Sequence, residues 1–156
     1  MKRIFVLFAT LALTFACSQP DPIRDAMEQY AKDHVEDPGT YKFEYMGVVR
    51  EYTYLSDLMQ YQAGIEKLAE KADDKSPYEA ELKKVQSLLD EYGIEVACRE
   101  YSLYFYTLGG SSGKMRLPGV VLARYDADGK LMMMTMDPDT LPTYPALQIL
   151  KDRGEL

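Results

Sequence analysis

Histidine, cysteine and tryptophan are scarce in this chain of 156 residues, which has one, two and none of them. A single histidine, His34, excludes a zinc site built from several histidines. Two cysteines, Cys17 and Cys98, allow one intramolecular disulfide at most. Positive charge is also short. The chain has 18 Lys and Arg against 25 Asp and Glu, a net charge of −7. A chain this acidic is repelled by nucleic acid and by anionic lipid surfaces, so nucleic-acid partners are excluded. No apolar run reaches the ~20 residues that span a bilayer. Internal repeats and low-complexity tracts are absent.

The N-terminus carries the strongest signal. Met1-Lys2-Arg3 is followed by an apolar stretch from Ile4 to Ala16, with Thr10 and Thr14 as its only polar members. Cys17 and the polar, proline-rich Ser18-Gln19-Pro20-Asp21-Pro22 come next. This order of charge, apolar core and small residue is that of a secretory signal. With a cysteine directly after Ala16, it looks like a bacterial lipoprotein signal, although Thr14 and Phe15 depart from the usual lipobox. The resemblance implies a signal peptide over residues 1–16 and a tether over 17–22. It also implies a diacyl or palmitate-bearing lipid on Cys17 that holds the protein at the cell envelope. Ser18 after the cysteine points to the outer membrane, facing either the periplasm or the surface. Ordinary signal-peptidase cleavage, releasing a free secreted protein, is the alternative.

Without residues 1–16 the chain keeps 140 residues and loses Lys2 and Arg3, which takes the net charge to −9. That length is one domain, large enough to bury a core without disulfides. Ile23, Met27, Tyr30, Ala31 and Val35 recur at helical spacing, and Pro38-Gly39 stops the helix. Tyr41–Tyr45 alternates as a strand with one wet face, and Gly47 predicts a bulge or bend. From Leu55 the period becomes helical. Asp73-Asp74-Lys75 is a turn, and Ser76-Pro77-Tyr78-Glu79 predicts a capping box with Ser76 as cap. Residues 56–92 therefore form an αα-hairpin inserted between strands.

Residues 95–108, 117–125 and 130–136 are strands, the last two joined through Asp128-Gly129. A short helix follows Pro145. The predicted class is α+β. It has a mostly antiparallel sheet of about four strands, an N-terminal helix, the inserted hairpin and a short C-terminal helix, in one domain over 23–156. The run Asp37-Pro38-Gly39-Thr40-Tyr41-Lys42-Phe43, with the later Asp128-Gly129-Lys130 turn, resembles elements of small Bacteroidota-type exported lipoproteins of uncharacterised function. That resemblance implies an exported domain and names no catalytic residue.

Motifs of catalysis are missing. Gly109–Lys114 lacks the first P-loop glycine, because Leu108 stands there, and Met115 follows Lys114 in place of a hydroxyl. Asp126-x-Asp128-Gly129 has Asp137 where an EF-hand needs glutamate. Met132, Met133, Met134 and Met136 would alternate between faces of a strand, which fits core filling better than a Cu(I) site. Cys98 reads as a small buried residue and His34 as a surface residue near a helix C-terminus. No catalytic residue, metal or cofactor is assigned.

Thirteen tyrosines stand out beside five phenylalanines. On the strand 99–108, Tyr101, Leu103 and Phe105 form the core face, and Glu100, Ser102, Tyr104 and Tyr106 form the other. Tyr104 and Tyr106 are the candidate ligand- or partner-binding residues, unless the helical hairpin folds over them. The functional expectation is a non-enzymatic binding or interaction role for an envelope-anchored lipoprotein. The alternatives are an extracytoplasmic enzyme, such as a hydrolase, and an acidic inhibitor or subunit of a basic partner.

Overall fold

Asp21 opens the first helix by capping it. In the computed structural model, which describes residues 21–110 and 113–156, its carboxylate accepts hydrogen bonds from the Ile23 and Arg24 amides at 3.1 and 3.3 Å. Pro22 occupies the first helical position, where its missing N–H costs nothing. The signal segment, Cys17 and the lipid expected there lie outside the described residues, as do Ser111 and Ser112 of the glycine-rich loop.

Helix α1 (Pro22–His34) is followed by a 3-10 turn at Pro38–Thr40, capped by Asp37. Then come β1 (Lys42–Thr53), α2 (Tyr54–Ala69), α3 (Ser76–Tyr92), β2 (Val96–Gly109), β3 (Met115–Asp126) and β4 (Leu131–Thr135). A second 3-10 turn at Pro138–Thr140 leads to α4 (Pro145–Asp152). The strands pair antiparallel in the order β1-β2-β3-β4, so the class is α+β, as expected. The αα-hairpin lies between β1 and β2, which are neighbours in the sheet. Between β3 and β4, the Asp126 side chain accepts from the Asp128 and Lys130 amides, and Gly129 supplies the positive φ of +80°.

Three local expectations are corrected. Ser76 is not the side-chain cap of α3. Lys75 holds the cap position, and the Asp74 carboxylate takes both the amide and the hydroxyl of Ser76, at 3.0 and 2.7 Å. The charged acceptor two residues upstream outcompetes the capping box. Gly47 is not the bulge either, because it pairs in register with Ser102. The register slips on both sides of it, where Glu44 and Val49 are inserted. The expected alternation at 41–45 also fails. Tyr41 is buried ahead of the strand, and Lys42, Phe43, Glu44 and Tyr45 are all exposed, because the bulge at Glu44 breaks the alternation and sets Tyr45 on the uncovered part of the opposite face.

Each face of the sheet carries its own core. Met27 and Ala31 of α1, one turn apart, pack on Leu103, Phe105, Val121, Ala123 and Tyr125. Phe105 lies across Gly119, its β3 partner. A Cβ there would overlap the ring, so only glycine lets the phenyl lie flat on the sheet. On the opposite face, α2, α3 and α4 enclose a second cluster with Tyr52, Ala97 and Cys98. Leu58, Val85 and Leu150 are fully buried there. The helical hairpin is therefore part of a core as well as an insertion.

Candidate functional site

The hairpin face of the sheet has a closed end and an open end. Cross-strand pairing puts Cys98, Glu100, Ser102, Tyr104 and Tyr106 of β2 on this face, opposite Asp126, Arg124, Leu122, Val120 and Pro118 of β3. The helices cover only the first part of that row.

At the closed end, Glu100 and Arg124 sit opposite one another and both are buried. Arg124 Nε donates to Glu100 Oε2 at 2.7 Å, Nη2 donates to Tyr52 Oη at 2.9 Å, and Nη1 donates to the Pro142 carbonyl. The Tyr52 hydroxyl donates in turn to Glu100 Oε2 at 3.1 Å. The guanidinium also lies 4.7 Å from the centre of the Tyr52 ring. Burial is the main cause that raises the Tyr52 phenol above its ordinary value, with Glu100 adding to it and Arg124 opposing it. Each of the three guanidinium nitrogens of Arg124 has a partner inside the protein. Arg124 faces a cleft of about 500 Å³ bounded also by Lys130, Met133, Asp152 and Arg153. Within that cleft Asp126 is committed to the hairpin turn.

Asp57 forms a second buried polar link. Its Oδ2 accepts from the Ala146 amide at 2.9 Å, so a residue of α2 caps the N-terminus of α4 across 89 positions. Ser56 donates to its Oδ1 at 3.1 Å. Burial raises the Asp57 carboxyl above its ordinary value, and the Ala146 and Ser56 hydrogen bonds only partly offset this.

At the open end the tyrosines face solvent. Tyr104 is 43% exposed and stacks on Tyr45, which is 56% exposed, with ring centres 5.5 Å apart and planes 17° from parallel. Tyr106 is half-buried under the Arg116 guanidinium, 4.4 Å from its ring centre. Lys42 is the β1 partner of Tyr106 and is exposed. The alternative in which the hairpin folds over Tyr104 and Tyr106 is therefore not what the fold adopts. It packs against the Tyr52 and Cys98 end of the face. Tyr101, Leu103 and Phe105 point to the α1 core as expected, Tyr101 only half-buried. Sequence reading missed Tyr45, because its pairing with Tyr104 depends on the bulge at Glu44.

The remaining candidates disperse. Cys98 is fully buried, and burial pushes its thiol up to about 11, so it is no nucleophile at neutral pH. His34 is exposed at the end of α1, stacked on Tyr30 with its Nδ1 2.8 Å from the Tyr30 carbonyl. It lies on the helix covering the other face of the sheet from Cys98. Met132 belongs to the hairpin-face core, and Met134 and Met136 to the α1 core, so the thioethers are divided between the two faces of the sheet. Among the described residues, no group of three or more His, Cys, Asp or Glu is placed to hold a metal. A groove of about 580 Å³ between the helices is lined by Tyr61, Ile65, Leu68, Tyr78, Tyr144 and Leu147, with little polar surface. Compared with family models, curated proteins and solved structures, the chain matches none.

The buried ion pair sets the first prediction. Arg124→Met leaves Glu100 buried without its cation and should cost about 3–5 kcal/mol. Adding Glu100→Leu should recover most of that loss, because the apolar pair needs no counter-charge. Denaturant melts of the two variants measure both. Asp57 sets the second. Its folded carboxyl titrates above the unfolded one, so the native state holds the extra proton between those two values. Its contribution to stability is therefore greatest below the ordinary carboxylate range and falls as pH rises through the raised value. Asp57→Asn keeps an acceptor for the Ala146 amide. Melts across the acid range should show this variant gaining on wild type as pH rises.

Proposed function

We propose that the protein is an exported, lipid-anchored domain that binds a ligand or partner, without catalysis, through the open tyrosine end of its sheet. The observation that carries this reading is the exposed Tyr45–Tyr104 stack beside the Tyr106–Arg116 pair. Rings held this way offer apolar area with little entropy left to lose, and their hydroxyls supply hydrogen bonds at the rim. Lys42 and Arg116 add positive charge locally to a strongly acidic chain, which favours ligands that carry π faces or partial negative charge. The buried polar groups support a binding role because their hydrogen bonds are already used to join elements of the fold. Cys17, after Ala16, is the proposed lipid site; of the residues expected as its tether, Asp21 and Pro22 already belong to the start of α1.

Two measurements test this. Intact-mass spectrometry of the native protein should find diacyl or triacyl mass on Cys17, and Cys17→Ser should move the protein from the membrane to the soluble fraction. An unmodified mature terminus elsewhere contradicts the anchor. Tyr104→Ala with Tyr106→Ala should change stability by about 1 kcal/mol or less per site, as surface substitutions do. The same pair should abolish capture of envelope components that wild type retains from detergent extracts. Equal capture by both proteins contradicts the binding surface.

A further inference from the structure

The two edges of the sheet differ sharply. β4 has five residues and runs directly into a 3-10 turn. β1 has twelve, contains no proline and leaves its outer side unpaired among the described residues. Val48 and Val49 on it are 52% and 55% exposed, and Phe43 and Tyr45 are exposed too. A long apolar edge is a template for strand addition, and proteins ordinarily blunt such edges with bulges or charges.

β1 has both devices, and two of its three register irregularities, together with the charges Glu44 and Arg50, are placed symmetrically about Gly47. One bulge sets Glu44 and Tyr45 against Tyr104, and the other sets Val49 and Arg50 against Glu100. Gly47 lies midway between them. An antiparallel copy of β1 with Gly47 opposite its own counterpart brings bulge against bulge. In that register Glu44 of one copy meets Arg50 of the other, Tyr45 meets Val49, and Met46 meets Val48. Among the described residues neither Glu44 nor Arg50 takes part in an ion pair, and Arg50 rests 5.5 Å over the Tyr52 ring. Opposite charges and aromatic–aliphatic pairs facing each other are the favourable cross-strand combinations.

We propose that β1 is a two-fold interface at which two copies of this chain pair antiparallel about Gly47, forming one eight-stranded sheet. A second copy is the occupant because the strand is complementary to itself, as an isologous interface requires. The two-fold axis is perpendicular to the sheet, so faces are conserved across it. Both α1 helices, with Asp21 at their starts, lie on one side. Both tyrosine platforms lie on the other and meet at the axis through Tyr45. The interface depends on β1 alone and goes beyond the binding reading above.

Charge exchange in the full chain tests it. Wild type should sediment as a dimer at micromolar concentration. Glu44→Arg alone, or Arg50→Glu alone, places like charges opposite each other twice per dimer and should weaken association at least tenfold. The double exchange Glu44→Arg with Arg50→Glu restores opposite charges and should restore the dimer. Gly47→Cys in a full chain that also carries Cys17→Ser should give a linked dimer with a short bis-thiol cross-linker that Cys17→Ser alone does not give, because Cys98 is buried. Monomeric wild type, or a double exchange no better than the single ones, overturns the proposal. A dimer untouched by all three exchanges overturns it equally, by placing the interface elsewhere. Loss of ligand capture on Tyr104→Ala with the dimer intact separates the two readings.

Discussion

Arg124 holds three parts of the molecule at one buried point. Its guanidinium takes Glu100 on β2, Tyr52 on β1 and the Pro142 carbonyl ahead of α4. A buried cation is tolerable only when every donor is met, and that requirement fixes the strands and the segment leading to α4 relative to one another. Asp57 ties α2 to the start of α4 in the same region. With α4 fixed by both, Leu147, Ile149 and Leu150 close the core over Cys98. The closed end of the sheet follows from these polar links as much as from apolar burial.

The open end follows from the same geometry. The helical hairpin is held at the Tyr52 and Cys98 end, and 14-residue β2 extends well beyond it. Tyr104 and Tyr106 lie on that extension. Tyr45 joins them because Glu44 is bulged and brings the next residue opposite Tyr104. A stacked pair built from two strands is more rigid than either tyrosine alone, which is what a contact surface needs.

The sequence made some of this readable. The switch from period two to helical spacing after Tyr54 and back before Val96 exposed the inserted hairpin. The Asp-Gly turn located the β3–β4 connection, and alternation sorted Leu103 and Phe105 from Tyr104 and Tyr106. All of these are local patterns. Glu100 and Arg124 are 24 residues apart and look like two ordinary surface charges until the register sets them opposite. Asp57 meets Ala146 across 89 residues. Ser76 looked like a cap because the rule weighs hydroxyls at fixed offsets, and Asp74 nearby is a better acceptor. The extent of the hairpin's cover was illegible too, since it depends on where two helices dock rather than on their own periodicity.

The central claim is that one face of this sheet is sealed at the Arg124 end and open at the tyrosine end. Tyrosine nitration of the native protein, located by peptide mass spectrometry, tests it residue by residue. The account predicts rapid modification of Tyr45 and Tyr104, with Tyr52 and Tyr54 protected until the protein is unfolded. Protection of Tyr104 equal to that of Tyr52 would contradict it, because the face would then be covered along its whole length.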